Sequence, residues 1–528
     1  MNSPNVLIAG RWQTSRGTEA FHAADPAKGV DLPEPYPISD WQECESALAA
    51  ASEAAAGEID PARLSHFLTR YAERIETRRK EIVEMANLET ALPTAPRLND
   101  VELPRTTGQL RQAAAAALEG SWAMATIDTK SNIRSRLASV GPVLIFGPNN
   151  FPFAFNAVSG GDFAAAIATG SPVIAKAHPS HPGATRLLAE EAFAAVGECG
   201  LPKAMVQMIY HLSKSDGLRM ASDPRIGAVA FTGSRTGGMA LKAAADAAGK
   251  PVYLEMSSVN PVVILPGALR ERLTKIADEF ADSCLAATGQ FCTNPGLVVL
   301  VAGEQTDKFV AEVKSRFDSR PAGPLLARRG AASLAAGVKS LIDAGAAVIT
   351  GGRAAEGAGW RYANTLLRVS GEEFLANPKH LQGEAFGNAA LLVIARDVAE
   401  TTKILGQLEG NLTGCIYSET HGADDVIYNH LAAILRRRVG RLINDKMPTG
   451  VAVSSAMNHG GPYPATGHPG FTAVGIPASL RRFGRLECYD NVRHSRLPNL
   501  LVNKNPTGKT WRMIDSAWTC DDVRTEPN

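Results

Sequence analysis

Val140-Gly-Pro-Val-Leu-Ile-Phe-Gly-Pro-Asn-Asn-Phe-Pro152 opens the stretch that decides the fold. The apolar run Val140–Phe146 reads as a buried strand that stops at Gly147-Pro148, and helical sequence follows Pro152. A second apolar run, Pro172–Lys176, ends in the loop His178-Pro-Ser-His-Pro-Gly183, and a helix is predicted over Ala184–Val196. A third run, Ile226–Thr232, closes in Gly233-Ser234. Strand, helix, strand, helix, strand predicts an α/β fold with a parallel sheet, whose ligands lie beyond the carboxyl ends of the strands. Three loops at those ends carry Asn150, Lys176 and Ser234.

Working outward, Val6-Leu-Ile-Ala-Gly-Arg-Trp12 reads as a short hairpin strand. Asp60-Pro61 supplies an N-cap and a first-turn proline for a helix running towards Asn87, and a second helix is expected over Thr106–Glu119. Beyond Lys250, strands Val252–Leu254, Pro261–Leu265 and Leu297–Val301 and helices near Leu273–Ala287 and Thr306–Phe317 suggest a second α/β domain. The tail after Arg496 has no periodicity and reads as an irregular extension.

A chain of 528 residues is too long for one ordinary core. With 54 Lys+Arg against 53 Asp+Glu, a formal charge of +1 supplies no field to draw nucleic acid or an anionic membrane. No run approaches the roughly 18 apolar residues of a membrane span, and the first residues lack the pattern of a secretory leader. The seven cysteines are scattered without a CxxC pair, the usage of a reducing compartment. A cytoplasmic protein without a metal ribbon is expected.

Cys292 lies in Ala287-Thr-Gly-Gln-Phe-Cys-Thr-Asn-Pro-Gly296. A thiol at a glycine-permitted turn near a helix end suits a nucleophile, whereas a lone cysteine is more often a structural core residue; alone it is undecided. Glu255 follows a strand in Tyr253-Leu-Glu-Met-Ser-Ser-Val-Asn-Pro261, and is either a surface charge or a base for water. Asn150 is either a turn residue or an oxyanion donor. Lys176 ends a strand, and Gly233-Ser234 to Gly238 opens a helix whose N–H groups suit a phosphate, although GxGxxG is absent. His178 and His181 have no partner pair at metal spacing and read as loop histidines.

The ordered series resembles the aldehyde dehydrogenase superfamily across about residues 6–490. It runs through Ala9-Gly-Arg-Trp12, Leu88-Glu-Thr-Ala-Leu-Pro93, Arg105-Thr-Thr-Gly-Gln-Leu-Arg111, Gly147-Pro-Asn-Asn-Phe-Pro152, Phe231-Thr-Gly-Ser234, Gly289-Gln-Phe-Cys292 and Gly383-Glu-Ala-Phe-Gly387. The resemblance implies that Cys292 attacks an aldehyde, that Asn150 and the Cys292 N–H hold the oxyanion, and that Glu255 activates water to hydrolyse the acyl-thioester. It also implies that Lys176 and Glu384 hold the cofactor riboses, Ser234 with Gly233 and Gly238 the pyrophosphate, and Phe386 the nicotinamide ribose.

The implied fold has two parallel-sheet α/β domains and a small oligomerisation sheet. Residues 1–122 and 141–254 would form the cofactor domain, 255–465 the catalytic domain, 123–140 and 466–495 the sheet, and 496–528 an extension. A homodimer or homotetramer follows. Met256-Ser-Ser-Val-Asn-Pro261 and Met457-Asn-His-Gly-Gly-Pro-Tyr-Pro-Ala-Thr466 resemble the branch acting on 2-oxoglutarate semialdehyde (2,5-dioxopentanoate) or long-chain fatty aldehydes, from which Gly467-His-Pro-Gly-Phe471 departs. Pro179 stands where NAD-preferring relatives often carry glutamate, which favours NADP with NAD as a second cofactor. The rival readings are a fatty aldehyde dehydrogenase, a coenzyme A-acylating enzyme disfavoured by Glu255, and a non-catalytic protein on this fold.

Overall fold

A computed structural model describes residues 4–524. Its first sheet has seven strands, ordered Val252–Glu255, Ala228–Thr232, Val143–Phe146, Val173–Lys176, Val206–Ile209, Val6–Ile8, Arg11–Gln13. The first five run parallel, and the last two form an antiparallel hairpin on the edge. From the central strand Val143–Phe146 the chain steps outward on one side and then returns to the other. The loops after Phe146 and Thr232 therefore diverge and leave a crevice at the carboxyl edge.

Two expectations need correction here. The third strand in chain order is not Ile226–Thr232 but Val206–Ile209, which is buried throughout. Gln207 hides it in the sequence, a polar residue inside an apolar run. Its fully buried amide accepts from Ala9 N at 2.9 Å and donates to the Ala47 carbonyl at 2.8 Å. Likewise the helix after Pro152 begins only at Gly161. Residues 152–160 instead form tight turns, because the buried Glu102 carboxylate accepts from Phe153 N (2.8 Å) and Ala154 N (3.0 Å) and draws the chain back.

The expected first helix is two, Pro61–Thr77 and Arg79–Thr90, broken at Arg78. The next runs Leu103–Glu119 and is preceded by a π-helical stretch, Thr94–Glu102. Val252–Glu255 closes the first sheet rather than opening the second.

The second sheet is ordered Ala347–Thr350, Thr365–Ser370, Ala389–Ala395, Leu297–Val301, Val262–Ile264, Asn411–Tyr417, Val439–Asn444. All pairings are parallel except at the Ala347–Thr350 edge. Alternate side chains of its strands enter two separate cores, Leu297 and Val299 on one face and Val298 and Leu300 on the other. Such two-faced burial explains strands that read as unbroken apolar runs.

A five-stranded sheet joins Gly484–Asp490, Ile133–Ser139 and Thr126–Asp128 to Arg512–Ile514 and Ala517–Thr519. The tail expected to be irregular thus adds two strands. It is held by Arg512, whose buried guanidinium donates to the carbonyls of Val502, Asn503 and Asp521. Residues 466–483 do not join this sheet: Phe471, Ala473, Val474 and Leu480 pack into the first core. Among the described residues no helix is long and apolar enough to cross a membrane.

Candidate active site

Cys292 follows a turn that the backbone enters under strain. Ala287 and Thr288 are left-handed (φ 46° and 57°), as is Gly289 (φ 69°). A Cβ on Gly289 would lie 2.1 Å from the Gly387 carbonyl oxygen, so only glycine fits. Beyond the turn the loop is clamped by the buried Asn260 amide, which donates to the carbonyls of Cys292 and Asn294, both at 2.9 Å. Asn260 is itself fixed by Asn411, whose Oδ1 accepts from Val259 N, Asn260 N and Ser258 Oγ.

Glu255 ends the strand Val252–Glu255, with its backbone bridged to Thr466 and with Met256 N donating to the Ala465 carbonyl at 2.8 Å. Its carboxylate is 1% exposed as a residue, Oε1 lies 3.0 Å from His459 Nε2, and buried Oε2 has no partner among the described residues. The same His459 Nε2 lies 3.5 Å from Cys292 Sγ. Ligand-type atoms of Glu255, Cys292 and His459 all fall within 4.8 Å of one another. Burial, then the Glu255 carboxylate, push the Cys292 thiol pKa well up, while Arg105 pulls it down.

His459 reaches this position because Gly460 and Gly461 let the chain pass close to its neighbours. A Cβ on either would meet a carbonyl oxygen, Phe471 at 2.1 Å or Asn411 at 2.2 Å. The Asn150 amide donates one N–H to the Gln290 carbonyl at 3.0 Å, which leaves its second beside the Cys292 loop. The Cys292 N–H has no acceptor among the described residues. Phe151, Phe155 and Phe291 wall the approach, with ring centroids 5.1 and 5.5 Å from Phe151 and Phe155 packed 5.6 Å from the His459 ring.

The cofactor candidates lie in two places, Lys176 and Ser234 at strand ends of the first sheet and Glu384 and Phe386 in a pocket beside the Cys292 loop. Lys176 ends the strand Val173–Lys176, where desolvation lowers its pKa to about 8. Ser234 caps the helix Arg235–Ala247, accepting from Gly237 N. Two strand spacings, on the order of 10 Å, separate these two positions. Gly233 N donates to the Glu255 carbonyl at 3.1 Å, and a Cβ on Gly238 would meet Met256 Sδ at 2.9 Å, so the helix N-terminus lies tight against the base. Glu384 and Phe386 share a small pocket with Ser258 and Gly289. Desolvation raises the Glu384 carboxyl to about 7, with nearby Ser257 and Ser258 opposing the rise. His178 and His181 are used locally: His178 Nδ1 accepts from Ser180 N, and His181 Nε2 meets the Pro148 carbonyl at 2.9 Å.

His459 had no sequence signal beyond its Met457–Thr466 stretch, and neither Arg105 nor Asn260 stood out as a functional residue. His211 was also missed. Its buried Nδ1 has no partner among the described residues, and burial, then Lys176 and Arg329, lower its pKa to about 4.

The pattern of the aldehyde dehydrogenase family matches residues 12–456. Alpha-ketoglutaric semialdehyde dehydrogenase 2 of Azospirillum brasilense is 38% identical over 96% of this chain and 98% of its own. Alpha-ketoglutaric semialdehyde dehydrogenase of Acinetobacter baylyi is 35% identical over 86% of each chain. Among solved structures, the NAD+ complex of an aldehyde dehydrogenase from Bacillus cereus superimposes with a TM-score of 0.79 at 19% identity, covering 92% of this chain and 96% of that one.

Proposed function

This chain belongs to the aldehyde dehydrogenase family, and from that premise we propose that it oxidises 2,5-dioxopentanoate to 2-oxoglutarate on Cys292, with NADP preferred and NAD accepted. The observation that carries the chemistry is the Cys292–His459–Glu255 constellation. The names of the two relatives at 35–38% identity support the substrate.

The thiol ionises, its proton passing to solvent water, and the thiolate attacks the aldehyde carbon. A proton on His459 Nε2 serves both neighbours, donating to Glu255 Oε1 and offsetting the charge of a Cys292 thiolate. The oxyanion of the thiohemiacetal is received by the second N–H of Asn150 and by the Cys292 N–H. When bound, a nicotinamide would supply the hydride acceptor, and oxidation of the thiohemiacetal would leave an acyl-thioester on Cys292. Glu255, whose Oε2 is free, then takes a proton from water, the hydroxide adds to the thioester, and the thiolate leaves.

The crevice fits a nicotinamide nucleotide: Lys176, Ser234, Glu384 and Phe386 would hold it, and the orphaned His211 Nδ1 would meet a further acceptor. Proline at 179 places no carboxylate against a 2′-phosphate. Such a phosphate would offset the repulsion that Lys176 and Arg329 exert on a protonated His211. The NAD+ complex of the Bacillus cereus enzyme supports NAD as the second cofactor. Leu486 and Ile133, 73% and 37% exposed on paired strands of the small sheet, support its pairing between subunits in a dimer or tetramer.

The test is reduced-nicotinamide absorbance with NADP and NAD, each against 2,5-dioxopentanoate, succinate semialdehyde and a long-chain aldehyde. The expected result is the highest kcat/KM for 2,5-dioxopentanoate with NADP. Preference for the long chain would overturn the substrate, and no reduction with any aldehyde would overturn the chemistry.

A pH dependence of cofactor use follows. Glu384 must be anionic to accept ribose hydroxyls, so its contribution is present above about 7 and lost as pH falls through that value. Lys176 donates as a cation below about 8 and loses that charge as pH rises through it. A plot of kcat/KM for the cofactor at saturating aldehyde is expected to be bell-shaped with its maximum between those values. Glu384→Gln should remove the acid limb alone, and an unchanged acid limb would deny Glu384 this role.

A further inference from the structure

Three arginines approach the site; in two of them both terminal nitrogens are bonded and only Nε lacks a partner among the described residues. Arg97 pairs with Glu102 and donates from Nη2 to the Asn150 carbonyl at 3.0 Å. Arg441 donates to the backbone carbonyls of Pro448 and Gly450. Arg105, on the helix Leu103–Glu119, donates from Nε to Gln109 Oε1 at 3.0 Å, but its Nη2 is buried without a partner among the described residues. The guanidinium carbon lies 5.2 Å from the centroid of Phe155 and 5.7 Å from that of Phe151. Phe155 in turn packs on His459, which touches the thiol. Arg105 opposes the rise of the Cys292 thiol pKa, which puts it within electrostatic reach of Sγ. A half-buried guanidinium whose buried Nη2 is an unspent donor is thus held about one aromatic ring from the nucleophile.

Glu102 is the first charge acting on Arg105, yet no carboxylate among the described residues bonds its fork, whose planar geometry matches one. We infer that Arg105 is the specificity-determining residue that receives the distal carboxylate of the substrate while the aldehyde carbon lies at Cys292 Sγ. The phenylalanine walls cover the methylenes between the two ends. The tail of a fatty aldehyde would instead press apolar groups against the unpaired Nη2, so the same residue selects against it. This assignment rests on the carboxylated-aldehyde reading above and adds the group that enforces it.

The experiment compares kcat/KM for 2,5-dioxopentanoate with that for pentanal, a neutral aldehyde of equal length, in the parent chain and in Arg105→Leu, Arg105→Gln and Arg105→Lys. The ratio is expected to fall about 10²-fold in the leucine and glutamine variants, mostly through KM for the charged aldehyde. The lysine variant, which keeps the charge and loses the fork, should recover part of it. A folded leucine or glutamine variant that keeps the parent ratio would overturn the role of Arg105. Because the neutral variants leave Phe155 without its cation and can fail to fold, a second measurement uses the parent chain. Glutarate should protect Arg105 from phenylglyoxal, read by peptide mass, and absence of protection would also overturn the role. If the parent chain shows no preference for the charged aldehyde, the substrate reading itself falls. If that preference survives in the variants, only Arg105 loses its place.

Discussion

Cys292→Ala is expected to lower aldehyde oxidation by at least about 10⁴-fold, because the route through a covalent thioester is lost outright rather than slowed. Nothing near it can substitute. Cys284 is fully buried in the core behind the second sheet, and His459 and Glu255 can move protons but are not placed to form the acyl bond. Cys292→Ser should retain only a small residue of activity, since an alcohol is a far weaker nucleophile than a thiolate at neutral pH. The readouts are the rate of cofactor reduction and circular dichroism, the latter to confirm that the clamped loop still folds. Cys292 contributes its backbone carbonyl, not its side chain, to the Asn260 clamp, so the alanine variant should keep the fold. Survival of oxidation at more than a few per cent of the parent rate would remove the thiol from the mechanism and reopen the non-catalytic reading.

The architecture was legible where burial is two-sided and apolar. Val143–Phe146, Val173–Lys176 and Leu297–Val301 announce themselves because nothing polar interrupts them. Val206–Ile209 did not, because a satisfied Gln207 breaks the run, and no local pattern shows that Ala9 and Ala47 will supply its partners. The turns at 152–160 depend on Glu102, some fifty positions earlier, as a surrogate cap.

The site divides the same way. Cys292 lies in a turn, Asn150 in a bend and Glu255 at the end of a strand, each within a distinctive local sequence, so resemblance could point to them. His459 is 204 positions from Glu255 and 167 from Cys292, and only the close passage at Gly460-Gly461 makes it a neighbour. Arg105 looked like any helix arginine. Its meaning comes from what is missing around Nη2, and only coordinates show that.

Glu255→Gln is expected to cut steady-state turnover about 10³-fold and to let the acyl-thioester on Cys292 accumulate, visible as a mass adduct after mixing with aldehyde and cofactor. The two halves of the reaction respond unequally for an electrostatic reason. Hydrolysis loses its base. The thiol loses the anion that, after burial, does most to raise its pKa, so a larger fraction is thiolate at a given pH and acylation suffers less. The pH profile of inactivation by iodoacetamide, which reports that thiolate, should therefore move to lower pH in Glu255→Gln.

His459→Asn should move it the other way. Removing an N–H that stands between a thiolate and a carboxylate leaves two anions facing each other without a screen, which disfavours ionisation of the thiol. Turnover in this variant is expected to fall about 10²-fold with little acyl-enzyme, since formation of the thioester is now impaired too. Opposite displacements from two residues that touch each other cannot arise from general loosening of the pocket, which would move both profiles together. Profiles that shift in the same direction would mean that Nε2 acts as an acceptor from the thiol, and the proton assignment at His459 would have to be reversed.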